Sequence, residues 1–166
     1  MTKDLFKSEI KQVGGYLKEV VTFFDSSGKP ISHIVNPLMV ELRPRDITQI
    51  FVGALLVSSP LCFTEEVWTL SISLKNENVV YLAISSIVAV LLFVYYNFYR
   101  DKLRGNVIEF VKRIIAIYTI SILSVILVLF LIDKFPIMTT PYIAIKRVII
   151  IGFPSIFGAV ITDSLK

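Results

Sequence analysis

Four apolar segments, each close to the length needed to cross a lipid bilayer, constrain the fold of this 166-residue chain. A helix that crosses the hydrocarbon needs about 20 largely apolar residues at roughly 1.5 Å each. The segments lie at about 47–74, 79–98, 114–132 and 143–161. Hydrophobic residues make up 55% of the chain and its mean hydropathy is +0.75, which is typical of a membrane protein. We therefore predict an all-α membrane protein with four transmembrane helices.

The last of these segments has an alternative to a full span. Its uninterrupted apolar run, VIIIGFPSIFGAVI, covers only 14 residues, and Lys146 and Arg147 precede it directly. That run is short for a helix that crosses the hydrocarbon unless the two basic residues lie within the span. A re-entrant half-helix is therefore an alternative for this segment.

Residues 1–46 form a polar N-terminal region ahead of the first span. Within it, apolar residues recur at alternating spacings of four and three: Phe6, Ile10, Val13, Leu17, Val20 and Phe24. This stripe predicts a helix that either self-associates or lies on the membrane or on the rest of the protein. The runs VVTFF and ISHIV flank the turn-rich segment DSSGKP, so a small β-hairpin is also possible. The only histidine, His33, is expected at the surface and not in a metal site.

The distribution of Lys and Arg predicts the orientation of the chain in the membrane. Seven of these residues precede the first span and five lie between the second and third spans. The connections after the first and third spans carry one each, Lys75 and Lys134. We predict a multi-pass protein of the cell membrane with both termini in the cytoplasm. Because most basic residues flank the spans, they indicate orientation and do not favour nucleic acid as a partner.

Charged residues inside two apolar segments are the candidate functional residues. Glu65 and Glu66 lie in the outer part of the first segment, and Lys146 and Arg147 lie at similar depth in the fourth. A charge in the middle of a bilayer costs roughly 2.5–3.5 kcal/mol on insertion scales. An ion pair or network between the two doublets is the expected solution. Asp163 is predicted to lie at the inner end, near Arg113 or Arg43.

Two interpretations of these charges remain open. They either clamp the first span to the fourth as structural ion pairs, or a carboxylate lines a polar pathway or binds a cation. A catalytic carboxylate pair is a third, weaker reading, because no nucleophile or metal cluster accompanies it.

Two prolines and a set of small residues predict how the first and fourth spans are built. Pro60 and Pro154 each remove a backbone hydrogen bond, so we predict helix irregularity at both positions. Small residues favour close helix–helix contact in both spans: Gly53, Ala54, Ser58, Gly152, Ser155 and Ala159. The only cysteine, Cys62, is expected to pack as a small apolar side chain.

Several sequence pieces, in their order along the chain, resemble a known family. They are ELRPRDITQIFVGALL, PLCFTEEVWTL, FVYYNFYRDKLR and AIKRVIIIGFPSIFGAVITDSL. Together they are similar to a family of small prokaryotic, largely archaeal, integral membrane proteins of unknown function. The resemblance covers roughly residues 36–166. It implies a membrane location and supplies no mechanism.

The leading functional prediction is an ion channel or ion-coupled transporter in which Glu65 and Glu66 handle a cation or proton. Lys146 and Arg147 are then counter-charges, and a homo-oligomer supplies the walls that four helices cannot provide alone. The alternative is a non-transporting scaffold or regulatory subunit, in which these charges are structural. The lipid bilayer is the predicted environment. We predict that the protein is not an enzyme and needs no cofactor, and the sequence does not identify a metal.

Overall fold

The computed structural model describes residues 6–13, 16–25, 29–37, 41–100, 103 and 106–165. The chain divides into two compact units, Met1–Glu41 and Leu42–Lys166. The first unit contains a β-sheet and the second contains the helices.

The N-terminal unit holds three antiparallel strands: β1 (Phe6–Val13), β2 (Tyr16–Phe24) and β3 (Pro30–Pro37). The two runs that flank DSSGKP lie in paired strands, since β2 pairs with β3 in a register that places Thr22 opposite His33. The two side chains are joined by a hydrogen bond of 3.0 Å between Thr22 Oγ1 and His33 Nδ1. His33 is exposed, as expected.

The helix predicted from the apolar stripe in residues 6–24 is wrong, because this segment forms β1 and β2. Gly14 and Gly15 fall between the two strands, and each glycine costs a helix roughly 1 kcal/mol relative to alanine. The run Val20–Phe24 is rich in β-branched and aromatic residues, which favour strands. Local strand preference and cross-strand pairing therefore outweigh the helical spacing of the apolar residues.

The described part of the second unit contains five helices. Their bounds are α1 (Pro44–Cys62), α2 (Glu65–Ser73), α3 (Asn76–Val94, continued by a π-helical turn at Tyr95–Tyr99), α4 (Val107–Leu131) and α5 (Pro141–Ser164). Within the described ranges, three helical segments are long and apolar enough to cross a membrane: Asn76–Tyr99, Val107–Leu131 and Pro141–Ser164. A fourth is present if α1 and α2 count together as one broken span.

The first predicted span, 47–74, is not one straight helix. It is divided into α1 and α2, which are bent by 82° relative to each other. The last predicted segment, in contrast, lies within one continuous helix, so the re-entrant alternative for it is wrong in this structure. The irregular segment of the membrane unit is therefore the first and not the last.

Helix α5 occupies the centre of the helical unit. Its most apolar window is 61% buried within the chain, compared with 22% for the α3 segment and 28% for α4. α1 and α4 run antiparallel to α5. The first turns of α1 and α4 thus meet the last turn of α5 at what we call the basal end. The ends of α2 and α4 meet the start of α5 at the opposite end, the distal end.

A close crossing of α1 and α5 explains the predicted small residues. A Cβ atom built on Gly53 would lie 2.5 Å from the carbonyl oxygen of Gly158, too close for any side chain. Ser155 donates a 3.0 Å hydrogen bond to the Ala54 carbonyl, and Thr162 donates one of 2.9 Å to the Gln49 carbonyl. The two helices therefore meet along backbone, as small residues permit.

Candidate functional site

The basal end contains a buried ion-pair network, which we call the triad: Asp46, Arg113 and Asp163. Arg113 lies in the second turn of α4 and is 0% exposed. Its Nη1 donates to Asp163 Oδ2 at 2.6 Å and its Nη2 donates to Asp46 Oδ2 at 3.2 Å. The two carboxylates are also almost fully buried, at 1% exposure for Asp46 and 0% for Asp163. One guanidinium thus joins three helices, α1, α4 and α5.

Aromatic side chains complete the environment of Arg113. Its Cζ lies 4.3 Å from the centroid of the Phe98 ring, which is a cation–π distance. Tyr99, the next residue, is fully buried, and its ring packs edge-on against Phe110 with the ring centroids 5.1 Å apart. Both aromatic residues belong to the π-helical turn after α3. The segment formed by α3 and its π-helical turn therefore also contacts the triad.

The local sequence explains how α1 presents its carboxylate. Pro44 occupies the first turn of α1, where its missing N–H would have no partner in any helix. Asp46 is the third residue of the helix and accepts a 3.1 Å hydrogen bond from the Arg43 backbone N–H. This bond satisfies one donor at the helix start and fixes the carboxylate toward the bundle. The motif ELRPRD thus places an acid where α4 and α5 converge.

Of the two predicted neighbours of Asp163, Arg113 and Arg43, the structure shows an ion pair with Arg113. Asp46 was not singled out from the sequence, because it precedes the apolar run of the first segment. The available signal is an acidic residue in the first turn of a helix that leads directly into a span. Tyr99 and Phe98 gave no distinguishing signal beyond their place near the end of the second segment.

The distal end contains Lys146 and Arg147, each 7% exposed. Lys146 Nζ donates to the Leu74 carbonyl at 2.7 Å. Arg147 Nη1 donates to the Lys134 carbonyl at 2.6 Å, and its Nε and Nη2 lie 3.4 Å from Ser71 Oγ. The acceptors of both cations are therefore neutral groups.

One of these acceptors lies at the C-terminal end of a helix. Leu74 caps α2, whereas Lys134 lies two residues beyond the cap of α4. The last carbonyls of a helix have no partner in the helix and carry a partial negative charge of roughly half a unit. Lys146 thus replaces a missing hydrogen-bond donor at the end of α2, and Arg147 donates to a carbonyl of the connection after α4.

The predicted ion pairs between the glutamate doublet and the basic doublet do not form among the described residues. Glu65 and Glu66 are exposed in the first turn of α2. Residues on a helix advance by 100° each, so Glu66 lies about 140° around α2 from Ser71, which faces Arg147. The two doublets lie at similar depth only if the first span is straight. The bend instead turns the face of Ser71 and Leu74 toward α5 and leaves the glutamates on the other side.

The bend between α1 and α2 is held by two side chains. Thr64 Oγ1 donates to the Leu61 carbonyl at 2.8 Å, and Trp68 Nε1 donates to the Cys62 carbonyl at 2.9 Å. Pro60 lies in the last turn of α1, three residues before the break. Pro154 lies within α5, which continues through it. Of the two prolines, only Pro60 therefore lies next to a helix break.

Cys62 is fully buried in an apolar cluster with Val125, Leu129 and Ile151. It packs there as a small apolar side chain, in agreement with the expectation for a lone cysteine inside a span. Among the described residues, no group of three or more His, Cys, Asp or Glu side chains could hold a metal ion.

Residues 29–162, most of the chain, match the model of the family described as "Putative integral membrane protein (DUF2391)". The chain belongs to this family. The resemblance to an uncharacterised membrane family is thereby confirmed, while the prokaryotic origin stays a prediction. No curated protein matches the chain, and no solved structure matches it. Membership in the DUF2391 family supports a multi-pass membrane location and assigns no activity.

Proposed function

We propose that this DUF2391 protein is a non-transporting membrane scaffold or regulatory subunit whose buried charges lock its helices together. The observation that carries the proposal is Arg113, which is fully buried between carboxylates from two other helices. A buried charge that loses its partner is strongly destabilising, by about 3–5 kcal/mol. The triad therefore has the properties of a structural lock across α1, α4 and α5.

The packing between the two ends of the bundle supports the same proposal. The fully buried side chains in this part of the described structure are mainly apolar, among them Val90, Ile117, Val125 and Ile151. Such residues pack closely and offer no ligands to an ion. An ion that crossed through a single chain would have to displace this packing.

Ion-coupled transport is the second candidate, and one observation favours it. Glu65 and Glu66 are exposed and, with Thr69, Leu70 and Ser73, line an open surface concavity of about 420 Å³. Neither carboxylate forms an ion pair within the described part of the chain. Under this alternative a homo-oligomer brings several copies of the concavity together, and a proton or small cation is the transported species.

Ion flux into proteoliposomes separates the two candidates. The wild type, Glu65→Gln/Glu66→Gln and Arg113→Met are reconstituted separately, and flux is followed with dyes for H⁺, K⁺ and Ca²⁺. The scaffold proposal predicts no flux above empty liposomes for any protein. Flux in the wild type that is lost in a folded Glu65→Gln/Glu66→Gln protein would overturn it and support transport.

The surroundings of the protein are part of the proposal. We propose a location in the cell membrane, with both termini of the chain in the cytoplasm. Large apolar side chains exposed on α3 and α4 would then contact lipid, among them Ile84, Leu92, Ile115 and Leu123. The proposal involves neither catalysis nor nucleic acid.

A further inference from the structure

The distal end buries two cations that are adjacent in the sequence and have no acidic partner among the described residues. Lys146 and Arg147 are both more than nine-tenths buried, and their described hydrogen bonds go to two carbonyls and one hydroxyl. Ion pairs of the described residues link neither of them to Asp133 or Glu77, the acids that follow α4 and begin α3. Arg113, the other buried cation of the described residues, instead pairs with two carboxylates.

A helix end compensates only part of this positive charge. The C-terminus of α2, whose cap Leu74 accepts from Lys146, contributes a partial charge of roughly −0.5 against two full positive charges. Most of the positive charge therefore remains in a largely desolvated position. Because a charge in a low-dielectric site is poorly screened, an anion near these side chains would be bound more strongly than at a solvated surface.

Donors also remain available at this end. Lys146 has three N–H groups, of which one reaches Leu74 O while the Nζ lies 4.8 Å from the Tyr142 ring centroid. The bonds from Arg147 to Ser71 Oγ are long, at 3.4 Å. An anion with several oxygens could accept hydrogen bonds from both side chains without breaking the short carbonyl contacts.

A third cation and two aromatic rings lie at the rim. Lys134 is exposed, its carbonyl contacts Arg147, and its Nζ lies 4.4 Å from the centroid of the Trp68 ring. Trp and Tyr side chains favour the level of the lipid headgroups in membrane proteins. Trp68 and Tyr142 therefore place this end of the bundle where phosphate groups are concentrated.

We infer that Lys146, Arg147 and Lys134 form a binding site for a phosphate group at the distal end of the bundle. The chemistry fits the phosphodiester of a membrane phospholipid and also free inorganic phosphate. A guanidinium and an ammonium together supply the charge-assisted donors that phosphate oxygens prefer.

The only tryptophan of the chain, Trp68, lies at the site and reports on it. The full-length protein in a neutral detergent is titrated with dihexanoyl phosphatidylglycerol, dihexanoyl glycerol, potassium phosphate and potassium chloride while Trp68 fluorescence is recorded. We expect a saturable change with phosphatidylglycerol and none with dihexanoyl glycerol or chloride. Saturation with phosphatidylglycerol alone identifies the lipid as the source, and saturation with phosphate as well identifies the phosphate group itself.

Three variants locate the site. Lys146→Gln should weaken binding by roughly tenfold or more, because a charge-assisted hydrogen bond is lost. Lys134→Gln, at an exposed position that leaves the fold intact, should weaken binding by about threefold. Lys112→Gln is the control, since Lys112 is an exposed lysine of α4 that pairs with Glu109 at the basal end.

The inference is overturned if none of the phosphate-containing probes gives a saturable change, or if dihexanoyl glycerol gives the same change. It is equally overturned if the folded Lys146→Gln and Lys134→Gln variants bind as tightly as Lys112→Gln. If Lys146→Gln fails to fold, Lys134→Gln decides alone against the same control.

Discussion

The two ends of the helix bundle both bury an arginine, but they give it different acceptors. At the basal end, Arg113 contacts two carboxylates at 2.6 and 3.2 Å. At the distal end, Arg147 contacts one carbonyl at 2.6 Å and one hydroxyl at 3.4 Å. Burial alone therefore does not define the role of a charged side chain. Its acceptors decide whether removal of the side chain leaves a carboxylate or a neutral group without a hydrogen bond.

Removal of the basal arginine should have the largest effect on stability. Arg113→Met leaves two buried carboxylates without their shared guanidinium, which should lower the free energy of unfolding by about 3–5 kcal/mol. Unfolding by SDS in mixed micelles measures this change. The neighbouring variant Lys112→Met is the matched control and should cost less than about 1 kcal/mol, because Lys112 and its partner Glu109 are not fully buried. Equal effects of the two variants would contradict the structural role of the triad.

The crossing of α1 and α5 connects the two ends and should be the next most sensitive position. Gly158→Leu places a side chain against the Gly53 carbonyl oxygen, which lies 2.6 Å from an ideal Cβ, and should cost about 2–3 kcal/mol. Gly152→Ala is the control in the same helix, since no atom lies within 4 Å of its added Cβ. It should be neutral or stabilising by up to about 1 kcal/mol. A tolerated Gly158→Leu would mean that the helices do not cross on backbone.

Removal of the distal arginine should cost less than removal of the basal one. Arg147→Met leaves a carbonyl and a hydroxyl without a donor, and no buried carboxylate, so we expect a loss of about 1.5 kcal/mol in the same unfolding assay. This difference is the direct test of the comparison between the ends. A loss as large as that of Arg113→Met would indicate that Arg147 has an acidic partner.

The smallest effect is expected for the exposed glutamates. Glu65→Gln/Glu66→Gln should change the free energy of unfolding by less than about 0.5 kcal/mol, because neither side chain is buried or paired within the described chain. The same unfolding titration checks this value. A loss above about 2 kcal/mol would restore the clamp between these glutamates and α5 that the sequence suggested.

The sequence predicts the apolar segments and a position of Asp163 near Arg113 or Arg43, because both follow from hydropathy and from the order of the helices. It predicts an irregularity at Pro60 but not the 82° break after Cys62, since a proline in a span is compatible with a kinked or a broken helix. The hydrogen bonds from Thr64 and Trp68 that fix the bend depend on the tertiary structure. Because the break between α1 and α2 is not evident from the sequence, Glu65 and Glu66 are wrongly predicted to pair with the basic doublet.

In the N-terminal unit, the spacing of apolar residues predicts the wrong secondary structure. A spacing of four and three from Phe6 to Phe24 indicates a helix, yet the same residues form two strands. Periodicity competes there with the β-branched run at Val20 and Val21 and with a glycine pair. Asp46, in turn, was overlooked because a charge at the edge of a span is ordinarily solvated, whereas here three helix ends converge on it.

A double-mutant cycle between Arg113 and Asp163 tests most directly whether this buried ion pair locks the helices together. The free energy of unfolding is measured for the wild type, Arg113→Met, Asp163→Leu and the double variant. The account predicts that the double variant is more stable than the sum of the single losses implies, with a coupling energy of about 1–3 kcal/mol. Additive losses, with coupling below about 0.5 kcal/mol, would contradict the proposal that this buried pair locks the helices together.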